Sequence, residues 1–180
     1  LYFNKMSKSI SYKKYSSNNG LSTFEWGPPA WHFLFCTIMG SYPFKIDENN
    51  KEDLQIKHSF KQMFASIKYT LPCCVCNESY RRFWNEICID DYLDGRIELM
   101  KWLYLIKDQV NKKLIFQENE KFKIERQKLI DKYKVKDIKR EDFNNLLKKL
   151  KNRICITQKS KPFHSILEYY ESFRAKTFNV

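Results

Sequence analysis

Apolar residues recur at helical spacing in four segments of the chain. The first two stripes stop at Pro43 and Pro72, because proline cannot continue a helix, and the fourth begins after Gly95. One apolar face per segment predicts four amphipathic helices. The stripes are, in chain order, Trp31, Leu34, Phe35, Ile38, Met39 and Tyr42; Phe60, Met63, Phe64, Ile67 and Leu71; Cys76, Tyr80, Phe83, Trp84 and Ile87; and Leu99, Trp102, Leu103, Ile106, Val110 and Leu114.

The residues beside the stripes predict where the helices begin. Pro28 and Pro29 suit the first turn of the first helix, the second is expected from about Asn50, and the third at the cysteines after Pro72. No segment shows the sustained alternation of a half-buried strand. Four amphipathic helices with short connections bury their apolar faces most simply in a bundle, so the predicted fold class is all-α.

The chain changes character after the fourth stripe. Residues 112–161 carry 17 Lys and Arg against 7 Asp and Glu, which is +10 of the net charge of +12. Sparse apolar positions among these charges predict an extended helix, or two, over a solvated surface. A last apolar stripe predicts a short helix that docks back on the protein, with Phe163, Ile166, Leu167 and Tyr170 on its buried face.

Length and composition favour one main domain with an appendage. The chain has 180 residues, of which 43% are hydrophobic and 16% aromatic, enough for a real core. We expect a polar lead over 1–20, a core over 21–116 and a basic helical extension over 117–180. Residues 1–5 are set aside, because Leu-Tyr-Phe resembles the end of an engineered linker and Met6 suits a natural start.

The apolar runs are too short for export or membrane insertion by the usual routes. None approaches the roughly 18 to 20 residues of a membrane span. The first residues also lack the apolar middle of a secretory signal. We therefore expect a soluble protein that is not secreted by the general route and has no membrane span.

Three of the six cysteines fall within residues 73–76. A structural zinc site needs four ligands, usually as two spaced pairs, and only one spaced pair is present. A thioredoxin-type motif needs strands around it, whereas this pair joins two predicted helices. A disulfide that closes so short a loop would be a poor structural staple. A redox-active dithiol or an idle pair remains.

The predicted third helix gives the two cysteines different settings. Cys73 falls in the first turn, where the helix dipole and free amides favour a thiolate. Cys76 lies one turn further in, on the stripe that packs inward. We expect the Cys73 sulfur to face partners and the Cys76 sulfur to face the core.

Four short motifs occur in order over residues 24–116. Gly27 and Trp31 stand four apart, Tyr42-Pro43 ends the first stripe, Leu71-Pro72 precedes the cysteine pair, and Val110-Asn111-Lys112-Lys113-Leu114 follows later. In order and spacing the chain resembles the Erv/ALR family of FAD-linked sulfhydryl oxidases, particularly those of large DNA viruses.

The resemblance implies a fold, a reaction and a set of site residues. The fold is a four-helix bundle with a short fifth helix, which holds FAD and usually forms a homodimer. Cys73 would exchange disulfides with client thiols or a redox carrier, and Cys76 would lie against the flavin, which passes electrons to dioxygen to give hydrogen peroxide. The implied cofactor-binding residues are Gly27, Trp31, Phe35, Tyr42, Cys76, Lys107, Val110, Asn111 and Lys113.

The chain departs from the family pattern at four places. Phe35 and Lys107 stand where the family has histidines near the flavin nucleotide. The family's structural disulfide is missing, because Tyr104 occupies its second position, and no shuttle cysteine pair is seen. Cys88 and Cys155 are either free thiols or a pair. The missing shuttle suggests direct oxidation of clients or a separate redox carrier.

Two further functions remain open at this point. A binding module could keep the bundle without flavin and use the basic extension to hold a protein or nucleic acid. A zinc-stabilised nucleic-acid binder would contain metal and lose affinity with salt. Bound nucleic acid is not favoured over a solvated basic face. The resemblance implies a viral assembly site in host cytoplasm, or the virion, and the bias towards Lys, Asn, Ile and Tyr fits an AT-rich genome.

Overall fold

The computed structural model of the chain describes residues 20–152 and 159–174, and every regular element within them is a helix. The all-α fold class is confirmed, and all four helices predicted for the bundle are present. The chain divides into two compact units, of which the first ends at Arg96 and the second begins at Ile97. The elements are α1 (Thr23–Ser41), α2 (Lys51–Thr70), α3 (Cys74–Glu86), a 3-10 helix (Ile89–Tyr92), α4 (Arg96–Lys134), α5 (Arg140–Asn152) and α6 (Phe163–Glu171).

Helix α1 begins earlier than its prolines indicate. The carbonyl oxygen of Ser22 accepts hydrogen bonds from the backbone N–H groups of Glu25 (3.1 Å) and Trp26 (3.4 Å). These bonds start the helix before Pro28 and Pro29, which then lie inside it. A proline inside a helix lacks the hydrogen bond from its own nitrogen to the carbonyl four residues earlier, so α1 tolerates two missing bonds near its start. The prediction that the prolines occupy the first turn is therefore wrong.

The bounds of α2 follow the sequence prediction. The side-chain oxygen of Asn50 accepts a hydrogen bond from the backbone N–H of Glu52 (2.9 Å), which satisfies one of the unpaired donors of the first turn. At the other end Leu71 is extended, as is usual for a residue before proline. The predicted second helix, from about Asn50 to Pro72, is confirmed.

Helices α2 and α3 pack against each other. Phe60 and Phe64 of α2 and Tyr80 and Phe83 of α3 are buried, as the apolar stripes predict. The Tyr80 hydroxyl donates a hydrogen bond to the backbone oxygen of Phe64 (3.0 Å). Because only Leu71, Pro72 and Cys73 separate the two helices, this packing fixes the position of the α3 N-terminus.

Helix α4 starts after Gly95 as predicted and runs through residue 116 without a break. In the second unit its buried side chains are Leu99, Met100, Trp102, Leu103 and Ile106. Helix α6 packs on the same helix, since the rings of Tyr104 and Phe163 lie 5.5 Å apart. The predictions of an extended charged helix and of a last helix that docks back are both confirmed.

None of the helices in residues 20–152 and 159–174 combines the length with the apolar character that a membrane span needs.

Candidate redox site

A disulfide joins Cys73 and Cys76 at the start of α3, with their Cα atoms 5.2 Å apart. Cys73 is the N-cap residue of the helix and has an extended backbone conformation. Its carbonyl oxygen accepts from the backbone N–H groups of Cys76 (3.1 Å) and Asn77 (3.0 Å). Both cysteines are half-buried. The structure therefore brings the two predicted catalytic residues together.

The helix N-terminus sets the electrostatics at the pair. The backbone N–H of Cys76 points at the Cys73 sulfur, with 3.3 Å between the nitrogen and Sγ. The first turn of α3 contains no acidic residue that would oppose negative charge there. The helix dipole and this amide favour a thiolate at Cys73 once the disulfide is reduced. The arrangement suits thiol–disulfide exchange.

Asn77 carries a buried oxygen without a partner next to the pair. Its side-chain N–H donates to the backbone oxygen of Leu71 (3.1 Å). Its Oδ1 is buried and finds no hydrogen-bond donor among the described residues. Such an atom costs free energy unless a ligand or water donates to it. Sequence reasoning missed Asn77, although a polar residue directly after Cys76 at the start of an apolar stripe could have pointed to it.

Four predicted cofactor-binding residues belong to α1 or its end. Gly27 has open space around it, since an added Cβ would meet no atom within 4 Å. Trp31 is half-buried, whereas Phe35 and Tyr42 are buried. The Tyr42 hydroxyl already donates to the backbone oxygen of Leu93 (2.7 Å). Trp31 thus keeps an accessible ring, while Phe35 and Tyr42 lie within the core.

The other four, Lys107, Val110, Asn111 and Lys113, lie on α4 and are half-buried. Burial lowers the pKa of Lys107, although the nearby Asp108 carboxylate partly opposes this shift. The Asn111 side chain donates to the Ser160 hydroxyl (3.0 Å). In the second unit, therefore, the segment before α6 already contacts one of the predicted residues.

Asp108 connects these groups. Burial opposes its ionisation, but hydrogen bonds from Lys112 and Ser160 outweigh burial, so the pKa of Asp108 lies below its ordinary value of 3.8. The Lys112 ammonium lies 2.8 Å from the carboxylate. The result is a polar cluster, defined here as Lys107, Asp108, Asn111, Lys112 and Ser160, on one side of α4.

The remaining cysteines are not part of the disulfide. Cys36 is half-buried, with its sulfur 3.7 Å from Nε2 of His32. Cys74 and Cys88 are exposed, and the Cys88 sulfur lies 3.8 Å from Oδ2 of Asp90. Cys155 lies outside the described residues, and so does the alternative of a Cys88–Cys155 pair. Within the described part of the chain no group of three or more His, Cys, Asp or Glu could hold a metal ion.

The fold and the site together define a helical thiol–disulfide redox protein. The model of the Erv1/Alr family matches residues 29–134, more than half of the chain, and the chain belongs to this family. A search of curated proteins found no match to the chain. The family generally comprises sulfhydryl oxidases, and its members typically bind FAD. The matched residues include Cys73 and Cys76 but not Gly27, α5 or α6.

Each unit, taken by itself, carries groups that suit part of such a cofactor. The isoalloxazine ring of a flavin carries N–H groups, and the unpartnered Oδ1 of Asn77 is a buried acceptor for such a donor. Trp31 is an aromatic residue that is only half-buried. Lys107 is a half-buried cation, and a phosphate group would compensate its burial.

Proposed function

We propose that the protein is an FAD-linked sulfhydryl oxidase that forms disulfide bonds in client proteins. The observation that supports this proposal is the Cys73–Cys76 disulfide at the N-terminus of α3, in a chain of the Erv1/Alr family. Both cysteines are half-buried, so part of the pair is open to a client sulfur.

The first step is attack of a client thiolate on the Cys73 sulfur. A bond forms between the client sulfur and Sγ of Cys73, the bond between the two protein sulfurs breaks, and the electron pair leaves with Cys76 as a thiolate. Cys73 suits this role because it lies at the helix terminus, ahead of the first turn. Cys76, one turn later, is then the thiolate that stays on the inner side.

The second step releases the client. A second client thiolate attacks the client sulfur of the mixed disulfide, and Cys73 leaves as a thiolate. The backbone N–H of Cys76, 3.3 Å from the Cys73 sulfur, stabilises the negative charge on this leaving group. The client departs with a new disulfide, and the protein holds a reduced Cys73–Cys76 pair.

Return to the disulfide form needs an electron acceptor. The chemistry that bound FAD supplies is acceptance of two electrons from the reduced pair and their transfer to dioxygen, which gives hydrogen peroxide. Asn77 joins the residues that would hold FAD, because its buried Oδ1 lacks a donor. The other residues are those that the resemblance implies: Gly27, Trp31, Phe35, Tyr42, Cys76, Lys107, Val110, Asn111 and Lys113.

The proposal extends to organisation and partners. The oxidase core spans 21–116, and 117–180 forms a basic extension. The partners are thiol-containing clients or a redox carrier, and the active form is a homodimer, which light scattering of the purified protein would test. We further propose a viral-type protein located at an assembly site in host cytoplasm or in the virion. Detection of the protein in purified virions would support that location, and absence from virions and assembly sites would reject it.

The decisive experiment combines colour with turnover. Purified protein is expected to absorb near about 450 nm, as bound flavins do, and to consume oxygen when dithiothreitol serves as the thiol. Cys76→Ser is expected to bring oxygen consumption to background without unfolding the helices, because no disulfide can form with Cys73. Cys74→Ser is the matched control, since Cys74 is exposed and outside the disulfide.

Two outcomes would reject the proposal. A fully active Cys76→Ser variant would contradict the role given to Cys76. A correctly folded but colourless preparation that consumes no oxygen would favour the flavin-free binding module instead. In that case the basic extension, residues 117–180, becomes the first place to look for a bound partner.

A further inference from the structure

The short segment before α1 contacts the peptide that leads into the redox pair. The backbone N–H of Leu21 donates to the backbone oxygen of Pro72, with 2.6 Å between nitrogen and oxygen. The backbone oxygen of Leu21 in turn accepts from the indole Nε1 of Trp26 (3.3 Å). Both sides of the Leu21 backbone are therefore held, one by the residue before Cys73 and the other by the first turn of α1.

Gly20 makes this contact possible. Its φ of +73° lies in the left-handed region that favours glycine. A Cβ added at Gly20 would lie 2.2 Å from the Pro72 oxygen, 2.8 Å from the Pro72 carbonyl carbon and 2.9 Å from the Cys73 Cα. These are backbone atoms, which cannot turn aside as a flexible side chain would. Any other residue at position 20 would push the segment away from Pro72.

The contact bears on the redox pair because Pro72 directly precedes Cys73. The Pro72–Cys73 peptide orients the extended backbone of Cys73, and this conformation places the Cys73 sulfur 3.3 Å from the backbone nitrogen of Cys76. In the oxidised protein the disulfide also holds Cys73 in place. After reduction that covalent constraint is gone. Only the backbone conformation then keeps the Cys73 sulfur next to the backbone N–H of Cys76. The neighbours of Pro72 then decide how well Cys73 stays positioned.

We propose that Gly20 and Leu21 are positioning residues of the redox pair: they clamp the Pro72–Cys73 peptide so that the reduced Cys73 sulfur stays on the Cys76 amide. The inference rests on the proposed function, since it concerns the same dithiol, and it adds residues from before the family match at Pro29. A clamped Cys73 is a more stable thiolate and hence a better leaving group when the client is released.

The test measures the thiolate directly in the reduced full-length protein. Protein reduced with dithiothreitol and desalted without air is treated with iodoacetamide over a range of pH. Tandem mass spectrometry reads the modification at Cys73 apart from Cys74 and Cys76. Gly20→Ala removes the close approach, Leu21→Pro removes the donor N–H, and Trp26→Phe removes the indole donor but keeps an aromatic ring.

The expected result is a loss of thiolate at Cys73. In Gly20→Ala and Leu21→Pro the pH midpoint of alkylation rises by about one unit, which corresponds to about tenfold slower alkylation below the midpoint. Trp26→Phe gives a smaller shift in the same direction. The charged side chains on α1, α2 and α3 are the same in every variant, so their effect on Cys73 is constant. They include Glu25, Lys68, Glu78 and Arg81.

Two control variants separate the clamp from general damage. Gly40→Ala changes a glycine in α1 whose added Cβ would meet no atom within 4 Å, and it should keep the wild-type curve. Leu21→Ala keeps the backbone N–H and should restore the curve that Leu21→Pro loses. Circular dichroism checks the helices, and if Leu21→Pro does not fold, Gly20→Ala and Trp26→Phe decide.

Wild-type alkylation curves in Gly20→Ala and Trp26→Phe would overturn the clamp. So would an equal slowing in Gly40→Ala or Leu21→Ala, because neither change breaks the hydrogen bond from Leu21 to Pro72. The assay needs neither flavin nor oxygen. A preparation that is colourless and inactive as an oxidase would therefore still give an answer about the clamp.

Discussion

Tyr42 shows how a single residue joins the end of α1 to the turn before α4. Its side chain is completely buried, and burial raises its pKa far above the ordinary value of 10.0, so the hydroxyl stays neutral. The hydroxyl donates to the Leu93 backbone oxygen (2.7 Å), and the Tyr42 backbone oxygen accepts from Nε of Arg96 (2.7 Å). The ring of Phe60 packs edge-on against it at 5.0 Å. Tyr42 is therefore a core residue whatever it contributes to a cofactor.

Tyr42→Phe should destabilise the protein by about 1 to 2 kcal/mol, because it leaves the buried carbonyl of Leu93 without its donor. Urea unfolding followed by circular dichroism measures this change. Tyr69→Phe is the control, since Tyr69 is 71% exposed and its ring contact with Arg81 does not need the hydroxyl. Equal stability of Tyr42→Phe and the wild type would mean that the hydrogen bond to Leu93 contributes nothing measurable.

At the scale of elements, the pair α2 and α3 determines where the disulfide lies. Pro72 ends α2, the extended Leu71 and Cys73 flank it, and α3 begins at Cys74. Asn77 ties the two helices at this end through its bond to the Leu71 backbone oxygen. The backbone N–H of Cys76 meets the Cys73 sulfur at this turn between the two helices.

The bounds of these two helices could be predicted because their determinants are local. Asn50 caps α2 by accepting a hydrogen bond from the backbone N–H of Glu52, two residues later. Pro72, two residues after the last helical residue, prevents the helix from continuing. The start of α1 could not be predicted in this way. Pro28 is a stronger local marker than Ser22, yet the carbonyl of Ser22 supports the first turn and the prolines are tolerated inside the helix.

Phe64→Ala should destabilise the protein by about 3 to 5 kcal/mol, because it removes a fully buried aromatic side chain between α2 and α3 and leaves a cavity. The measurement is again the midpoint and slope of urea unfolding. Phe44→Ala is the matched control, because Phe44 is 70% exposed and its removal should change stability by no more than about 0.5 kcal/mol. Similar losses in both variants would contradict the packing of α2 on α3.

At the scale of the whole molecule, long-range contacts explain what the sequence could not show. The cysteine pair, its place at a helix start and the helical class could be predicted from spacing alone. The contact between Leu21 and Pro72 could not, because the partners are far apart in sequence and Gly20 has no side chain to mark it. The buried oxygen of Asn77 likewise becomes visible only when its neighbours are in place.

At this scale the structure also shows where part of the excess positive charge lies. The fourth stripe continues into the basic part of α4, and the polar cluster around Asp108 attaches the segment before α6 to that helix. Ser160 accepts from Asn111 and donates to the Asp108 carboxylate. The single carboxylate among Lys107 and Lys112 offsets repulsion between cations and gives the second unit a contact that responds to pH.

Asp108→Asn should destabilise the protein by about 1 to 2 kcal/mol at neutral pH, because the hydrogen bonds from Lys112 and Ser160 then reach a neutral amide in place of a carboxylate. Thermal or urea unfolding measures the difference from the wild type. Glu120→Gln is the control. The pair that Glu120 forms with Lys123 (2.7 Å) lies on exposed side chains, where such pairs contribute little.

The difference in stability between the wild type and Asp108→Asn should also change with pH. The folded-state pKa of Asp108 lies below 3.8, so its carboxylate contributes stability above the unfolded-state pKa and loses that contribution as pH falls through the folded value. The difference between wild type and Asp108→Asn should therefore be constant above about pH 5 and shrink below about pH 4. Lys107 and Lys112 stay charged throughout this range. A difference that grows on acidification would show that the Asp108 carboxylate is destabilising in the folded protein, contrary to its contacts with Lys112 and Ser160.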